Sequence, residues 1–201
     1  MMERITEASP RLTARIAGVF YLLNIVTAPI AFYGSSRPGL AFAAGIAATA
    51  SYVTVTVLFY YLFRPVNRRL SLVAALFSLA GCAVGELGAR HLAAIPINPL
   101  VFFGCYCLLI GYLILRSTFL PRILGAPMVI AGLGWLTFVS PRLAHYLSPY
   151  VYYPGGIGEG LLTLWLVAMG VNAERWKEQA GAAGQGTGGE TAGVTGLARG
   201  G

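Results

Sequence analysis

The feature that most constrains this chain is a set of apolar segments, each long enough to cross a membrane. One of them, residues 70–95, stays apolar over a full membrane thickness yet carries Glu86 and Arg90 one helical turn apart. A hydrocarbon core of about 30 Å is spanned by about 20 helical residues. Backbone groups in lipid must bond within their own segment, which favours a helix over an isolated strand. We therefore expect a transmembrane helix that contains two charged side chains.

Five more segments have the same character. We expect the full set of spans at residues 16–33, 40–63, 70–95, 100–115, 123–139 and 154–171. The chain is 57% apolar and only 10% charged, against roughly 25% charged residues in an average soluble domain. The first apolar run is longer than the apolar region of a usual secretory signal peptide, and no cleavage motif follows it, so we expect an uncleaved span.

The predicted fold is therefore all-α, a six-helix transmembrane bundle. Residues 1–15 form a polar N-terminal segment, residues 16–173 the membrane domain and residues 174–201 a tail. The tail is rich in Gly, Ala and Thr and has too little apolar surface to order itself, so we expect it to be largely disordered.

The basic residues predict the orientation of the bundle. Alternating spans place 11 of the 14 Lys and Arg residues on one side, in both terminal segments and in the links after the second and fourth spans. The opposite side holds Arg37, Arg90 and Arg142. The positive-inside rule then places both termini in the cytoplasm, here of a prokaryotic inner membrane. Because the arginines are scattered between apolar runs, nucleic-acid binding is not expected.

Glu159 is the second acidic residue within a predicted span. Counted from the basic side at 1.5 Å per residue, Glu86 lies roughly 24 Å deep and Glu159 roughly 21 Å deep. An ionisable group inside a membrane usually faces the bundle interior and indicates function. The sequence also permits purely structural ion pairs, Glu86 with Arg90 and Glu159 with Arg142. Among the uncharged polar residues, Asn24 on the first span is the main candidate for an added hydrogen bond.

Small residues lie beside both acids. Gly81 and Gly85 form one small-xxx-small pair and Gly156 and Gly160 another, a spacing that lets helix backbones approach closely. This spacing predicts that the third and sixth spans touch and bring the two carboxyl groups together. One of the two would then hold a proton, because like charges repel strongly in a medium of low dielectric constant.

A metal site would need other ligands. The candidates are His91 and His145, which with the two glutamates would give a nitrogen and oxygen donor set suited to zinc or iron. The three cysteines, Cys82, Cys105 and Cys107, have no ligand spacing and are interpreted as small packing residues. No phosphate loop, dinucleotide motif or nucleophile elbow is present, so no cofactor is expected.

Several motifs resemble the bacterial DUF4386 membrane proteins. They are RIAGVFYLLNIVTAPIA, LFRPVNRRLSLVAALF, GYLILRSTFLPRILGAPMVIAGLGWL and GIGEGLLTLWLVAMGVN, which together extend over about residues 15–172. The resemblance implies a multi-span inner-membrane protein, and the glutamate of its last motif corresponds to Glu159. It implies no activity, since the family is named for its unknown function.

Three functions stay open from the sequence. The first is a small transporter or ligand-binding bundle that uses the Glu86 and Glu159 pair. The second is a non-catalytic accessory subunit, a homo-oligomer or partner of another membrane helix, that docks through its glycine-rich faces. The third is a metal-dependent membrane hydrolase, although the sequence favours a protein that is not an enzyme. In every case the lipid bilayer is the main partner.

Overall fold

The computed structural model describes residues 9–34, 36–89 and 97–196, and every secondary-structure element in them is a helix. The described helices are α1 (Pro10–Tyr33), α2 (Pro38–Phe63), α3 (Arg68–Ala89), α4 (Pro99–Arg116), α5 (Gly125–Leu136), α6 (Pro141–Leu147), α7 (Tyr152–Ala168) and α8 (Ala173–Gly196). Short 3-10 turns extend α5 at both ends, to Arg122–Val139. The prediction of an all-helical membrane bundle is confirmed.

Five of these segments are long and apolar enough to cross a membrane: α1 to α4 and Arg122–Val139. The sixth predicted span corresponds to α7, which has 17 residues and is followed by α8 at an angle of 105°. Gly170 makes this turn with φ of +67°, a left-handed conformation that glycine adopts without steric cost. Pro29 lies inside α1 without ending it, since the helix continues to Tyr33.

The long helices form a closed ring in chain order. Each of α1 to α5 packs against the next, α5 packs against α7, and α7 packs back against α1. One end of this ring carries the arginine-rich links and the first residues of α1 and α8, and we call it the arginine end. The other end carries Tyr33, Pro38, Pro99 and Tyr152, and we call it the cavity end. In this ring α3 and α7 lie opposite each other.

Helices α4 and α5 are in backbone contact through glycines. A methyl group on Gly132 would lie 2.8 Å from the carbonyl oxygen of Gly104, and one on Gly125 would lie 2.8 Å from that of Gly111. Both pairs are seven residues apart along their helices, so they recur on one face. Small residues at such positions let membrane helices approach to backbone contact, where dispersion forces hold them.

The half of the bundle toward the arginine end is filled with apolar side chains. Phe59, Phe63, Leu113, Met128 and Leu166 are each at most 1% exposed there. Many large apolar residues are instead exposed on the outer surface of the helices, as expected where lipid is the solvent. The interior of this half is therefore a packed apolar core.

Helix α8 occupies part of the tail that the sequence assigns to disorder. It begins where the Asn172 side chain accepts hydrogen bonds from the backbone N–H groups of Glu174 and Arg175. Trp176 Nε1 then donates to the Leu62 carbonyl at 2.8 Å, and the Gln179 side chain accepts from the Thr118 backbone N–H at 3.1 Å. Capping, alanine content and these tertiary bonds stabilise a helix that composition alone does not predict.

Candidate functional site

A cavity of about 320 Å³ lies between the helices toward the cavity end. It is lined from α1, α2, α3, α4, α5 and α7, so every helix of the ring contributes to it. The polar and aromatic groups of its lining are Asn24, Thr49, Tyr52, Cys82, Glu86, Phe103, Trp135 and Glu159. A volume of this size is at the lower end of the range for pockets that bind small molecules.

Glu159 accepts hydrogen bonds from side chains on two other helices. Its Oε1 atom accepts a hydrogen bond from Trp135 Nε1 at 2.8 Å and a weaker one from Cys107 Sγ at 3.7 Å. Cys107 is fully buried on α4, whereas Glu159 keeps part of its surface accessible from the cavity. Helices α4 and α5 thus fix the orientation of a carboxyl group carried by α7.

Two glycines of α7 make this arrangement sterically feasible. A methyl group on Gly155 would lie 2.1 Å from Cζ2 of the Trp135 indole, and one on Gly158 would lie 2.5 Å from the Pro127 carbonyl oxygen. Gly158 therefore allows the backbone of α7 to approach α5. Gly155 provides the space in which the indole lies flat against α7 and reaches Glu159.

Glu86 reaches the same cavity from α3. Its Oε1 atom accepts a hydrogen bond of 2.5 Å from the Thr49 hydroxyl on α2. Asn24 lines the cavity from α1 and donates from Nδ2 to the Ala48 carbonyl at 3.1 Å. These two bonds connect α1, α2 and α3 at the depth of the cavity, so this half of its wall is held by side chains.

A cluster of buried tyrosines lies next to Glu159. The rings of Tyr21 and Tyr52 are 5.7 Å apart in an edge-to-face arrangement, and those of Tyr52 and Tyr106 are 5.8 Å apart. The Tyr21 hydroxyl lies beside the Glu159 carboxyl without completing a hydrogen bond of normal geometry, and the buried Tyr106 hydroxyl also lacks a partner in the described chain. A buried hydroxyl without a partner costs about 1–3 kcal/mol.

The structure brings three of the predicted site residues together. Glu86, Glu159 and Asn24 all line the cavity. Arg142 and His145 are exposed on α6 and do not line it. Arg90 and His91 lie outside the described residues. The predicted ion pair between Arg142 and Glu159 is absent from the described contacts, where Glu159 is held by Trp135 and Cys107 instead.

The predicted direct packing of the third and sixth spans is wrong. Helices α3 and α7 are not among the closely packed pairs of the described chain, because they lie opposite each other in the ring. Gly81 and Gly85 face Phe103 and Pro99 of α4, while Gly156 meets no atom within 4 Å. The two glutamates therefore approach across a cavity and not through a helix contact.

Sequence reasoning missed the residues that hold Glu159. Trp135 was assigned to a span without a role, and Cys107 was interpreted as packing. A signal for Trp135 exists in hindsight, since an indole N–H inside a membrane requires an acceptor. Cys107 has no comparable signal. Nothing in the sequence identifies Thr49 as the hydrogen-bond donor to Glu86.

The described residues also bear on a metal site. Within residues 9–34, 36–89 and 97–196, no group of three or more His, Cys, Asp and Glu side chains is arranged to hold a metal ion. Of the two histidine candidates, the structure describes only His145, on the exposed surface of α6.

Comparisons with known proteins found a family model and a relative that match this chain. The sequence model of the family described as Domain of unknown function (DUF4386) matches residues 96–170. An uncharacterized protein from Archaeoglobus fulgidus is 32% identical over 127 residues, which cover 59% of this chain and 76% of the relative. No solved structure matches the chain. The matched region includes Cys107, Trp135 and Glu159.

Proposed function

The chain belongs to the DUF4386 family of proteins of unknown function, and from that premise we propose that it binds a small polar ligand inside its membrane bundle. The ligand occupies the cavity between Glu86 and Glu159. The observation that carries this proposal is that two carboxyl groups from opposite helices of the ring line one cavity of about 320 Å³. Ionisable groups are expensive in a membrane and are usually retained for function.

The fixed orientation of the acids supports binding over a purely structural role. The Glu159 carboxyl is oriented by Trp135 and Cys107, and the Glu86 carboxyl by Thr49. Preorganised polar groups on rigid helices are what a binding site requires. The packed core beyond the cavity favours binding at one end of the bundle, and transport would require that core to open.

Orientation in the membrane is part of the proposal. We propose six spans, with α7 as the sixth, and both terminal segments in the cytoplasm of a prokaryotic cell. The arginine end then faces the cytoplasm, as the positive-inside rule demands, and the cavity end faces outward. Helix α8, turned 105° from α7, lies along the cytoplasmic membrane surface.

Native mass spectrometry of the gently solubilised protein tests the binding proposal. We expect a bound small molecule that is lost in Gly85→Leu, because a leucine at this lining position would fill the cavity. Gly88→Leu on the same helix is the matched control, since a methyl group on Gly88 would meet no atom of the described residues within 4 Å, and it should retain the molecule. Equal occupancy in both variants, or no bound molecule in the wild type, would contradict the proposal.

A second candidate function rests on a different surface. On α7, Gly156 and Gly160 have no neighbour within 4 Å, and the adjacent Ile157, Leu161 and Leu164 are exposed. A small-xxx-small pair that is open on a lipid-facing helix suits a partner helix, which would make the chain an accessory subunit or a homo-oligomer.

The mass of the particle in detergent tests this second candidate. The wild type should be larger than a monomer, and Gly156→Leu/Gly160→Leu should reduce it to a monomer of 21.3 kDa, because two leucines would prevent close approach. A wild-type monomer, or a complex that the double variant leaves intact, would rule out docking at this face.

A further inference from the structure

We infer that the ligand of the cavity is a small organic cation, a protonated amine with a compact apolar or aromatic body. This inference rests on the proposed function and adds the chemical class of the ligand. It begins from charge: the Glu159 carboxyl lines the cavity, and its described hydrogen-bond partners, Trp135 and Cys107, are both uncharged donors. A carboxylate in a cleft with walls of low dielectric constant attracts cations.

The aromatic residues of the lining favour an organic cation over an inorganic ion. Tyr52, Phe103 and Trp135 all line the cavity together with Glu159, and the Tyr52 and Phe103 rings are in edge-to-face contact at 4.9 Å. Aromatic faces attract ammonium groups through their quadrupoles and also provide apolar contact for the rest of the ligand. A bare metal ion would instead need several oxygen ligands close together.

The Glu159 carboxyl favours a ligand that still carries N–H groups. Both of its described hydrogen bonds, from Trp135 and Cys107, go to Oε1. A protonated amine has several N–H donors, and one of them would donate to the remaining lone pairs of the Glu159 carboxyl.

Cys82 provides a native reporter for the charge of the cavity. It lines the cavity and is partly exposed, whereas Cys107 is buried. The experiment treats sealed right-side-out vesicles with a cationic trimethylammonium methanethiosulfonate or with its anionic sulfonate analogue. Labelling at Cys82 is followed by peptide mass spectrometry, and each rate is divided by the rate of that reagent with a free thiol.

We expect the cationic reagent to be preferred by roughly tenfold or more and the preference to fall by at least half in Glu159→Gln. Glu174→Gln on α8, away from the cavity, is the control and should keep it. Protection of Cys82 is then compared for 2-phenylethylammonium, 2-phenylethanol and 3-phenylpropanoate, which have similar shapes and different charges. Only the cation should protect well, and Phe103→Leu should weaken its protection several-fold.

The possible failures are distinguishable. If neither reagent labels Cys82, the cavity is closed to the outside and the proposed function fails as well. If both reagents label it at equal normalised rates, or if the alcohol or the carboxylate protects as well as the amine, the cation inference alone is overturned while the binding cavity stands.

Discussion

Replacing Gly132 by valine is expected to destabilise the bundle by about 3 kcal/mol, the upper end of the usual range for overpacking. A side chain at Gly132 would meet the backbone of α4 itself, the Gly104 carbonyl oxygen at 2.8 Å and the Leu108 nitrogen at 2.8 Å. Backbone atoms cannot rotate away as a flexible side chain can. The two helices would have to separate, which would also remove the contact at Gly111 and Gly125.

The measurement is reversible unfolding or thermal inactivation of the purified protein in one detergent. Gly88→Val on α3 is the matched control, because Gly88 has no neighbour within 4 Å and the same side chain is added to a membrane helix. We expect it to change the free energy of unfolding by less than about 0.5 kcal/mol, as surface changes usually do. Equal stability of the two variants would show that α4 and α5 do not depend on backbone contact.

The α4–α5 contact also shows which parts of the fold could be predicted from the sequence. Apolar length and the distribution of arginines predict the helices well, because both depend on the solvent and not on the neighbours of a helix. Helix pairing depends on which small residues face which backbone. With 26 glycines in the chain, the four-residue spacing at Gly81 and Gly156 is a weak signal, and the seven-residue spacing of Gly104 and Gly111 carries the contact.

The same distinction applies to the candidate site. Glu86 and Glu159 stand out in the sequence because charges are rare inside a membrane, and helical rise alone places them at similar depth. Two of their partners do not stand out, because Thr49 and Cys107 are ordinary residues of membrane helices. Such a hydroxyl or thiol can bond either to its own backbone or to a distant carboxylate, and the rotation of the helix about its axis decides between them. In a helix that is apolar on all sides, the sequence pattern does not determine this rotation.

The tail illustrates a third limit. The average composition of residues 174–201 is polar and glycine-rich. The first turns are nevertheless held by single residues, the Asn172 cap and the Trp176 bond to the Leu62 carbonyl. The hydrogen bond from Trp176 to the end of α2 stabilises the start of α8 despite the polar, glycine-rich composition of the segment. Predicting this bond requires the position of the end of α2, which composition does not provide.

Replacing Gly155 by alanine is expected to disrupt the site while leaving the bundle folded. The added methyl group would lie 2.1 Å from Cζ2 and 2.4 Å from Cε2 of the Trp135 indole, so the indole must move. Its Nε1 then loses the hydrogen bond to Glu159, and the carboxyl group loses its strongest described donor. We expect a tenfold loss of amine protection at Cys82, which corresponds to about 1.4 kcal/mol, and a stability loss of about 2 kcal/mol.

A double-mutant cycle separates this positioning effect from a general packing defect. Trp135→Leu removes the ring that the methyl group would meet, so Gly155→Ala should cost almost no further stability in that background, a coupling of about 2 kcal/mol between two contacting residues. Gly156→Ala is the matched control. It adds the same methyl group one residue along α7 where no described atom lies within 4 Å, and it should be neutral or slightly stabilising, since alanine favours a helix more than glycine does.

Additive losses of stability in the cycle would mean that Gly155 acts on α7 as a whole. The alternative outcome is that the stability losses are coupled and that amine protection falls to the same extent in Gly155→Ala, Trp135→Leu and the double variant. That result would mean that Gly155 acts on the ligand through the indole that holds Glu159.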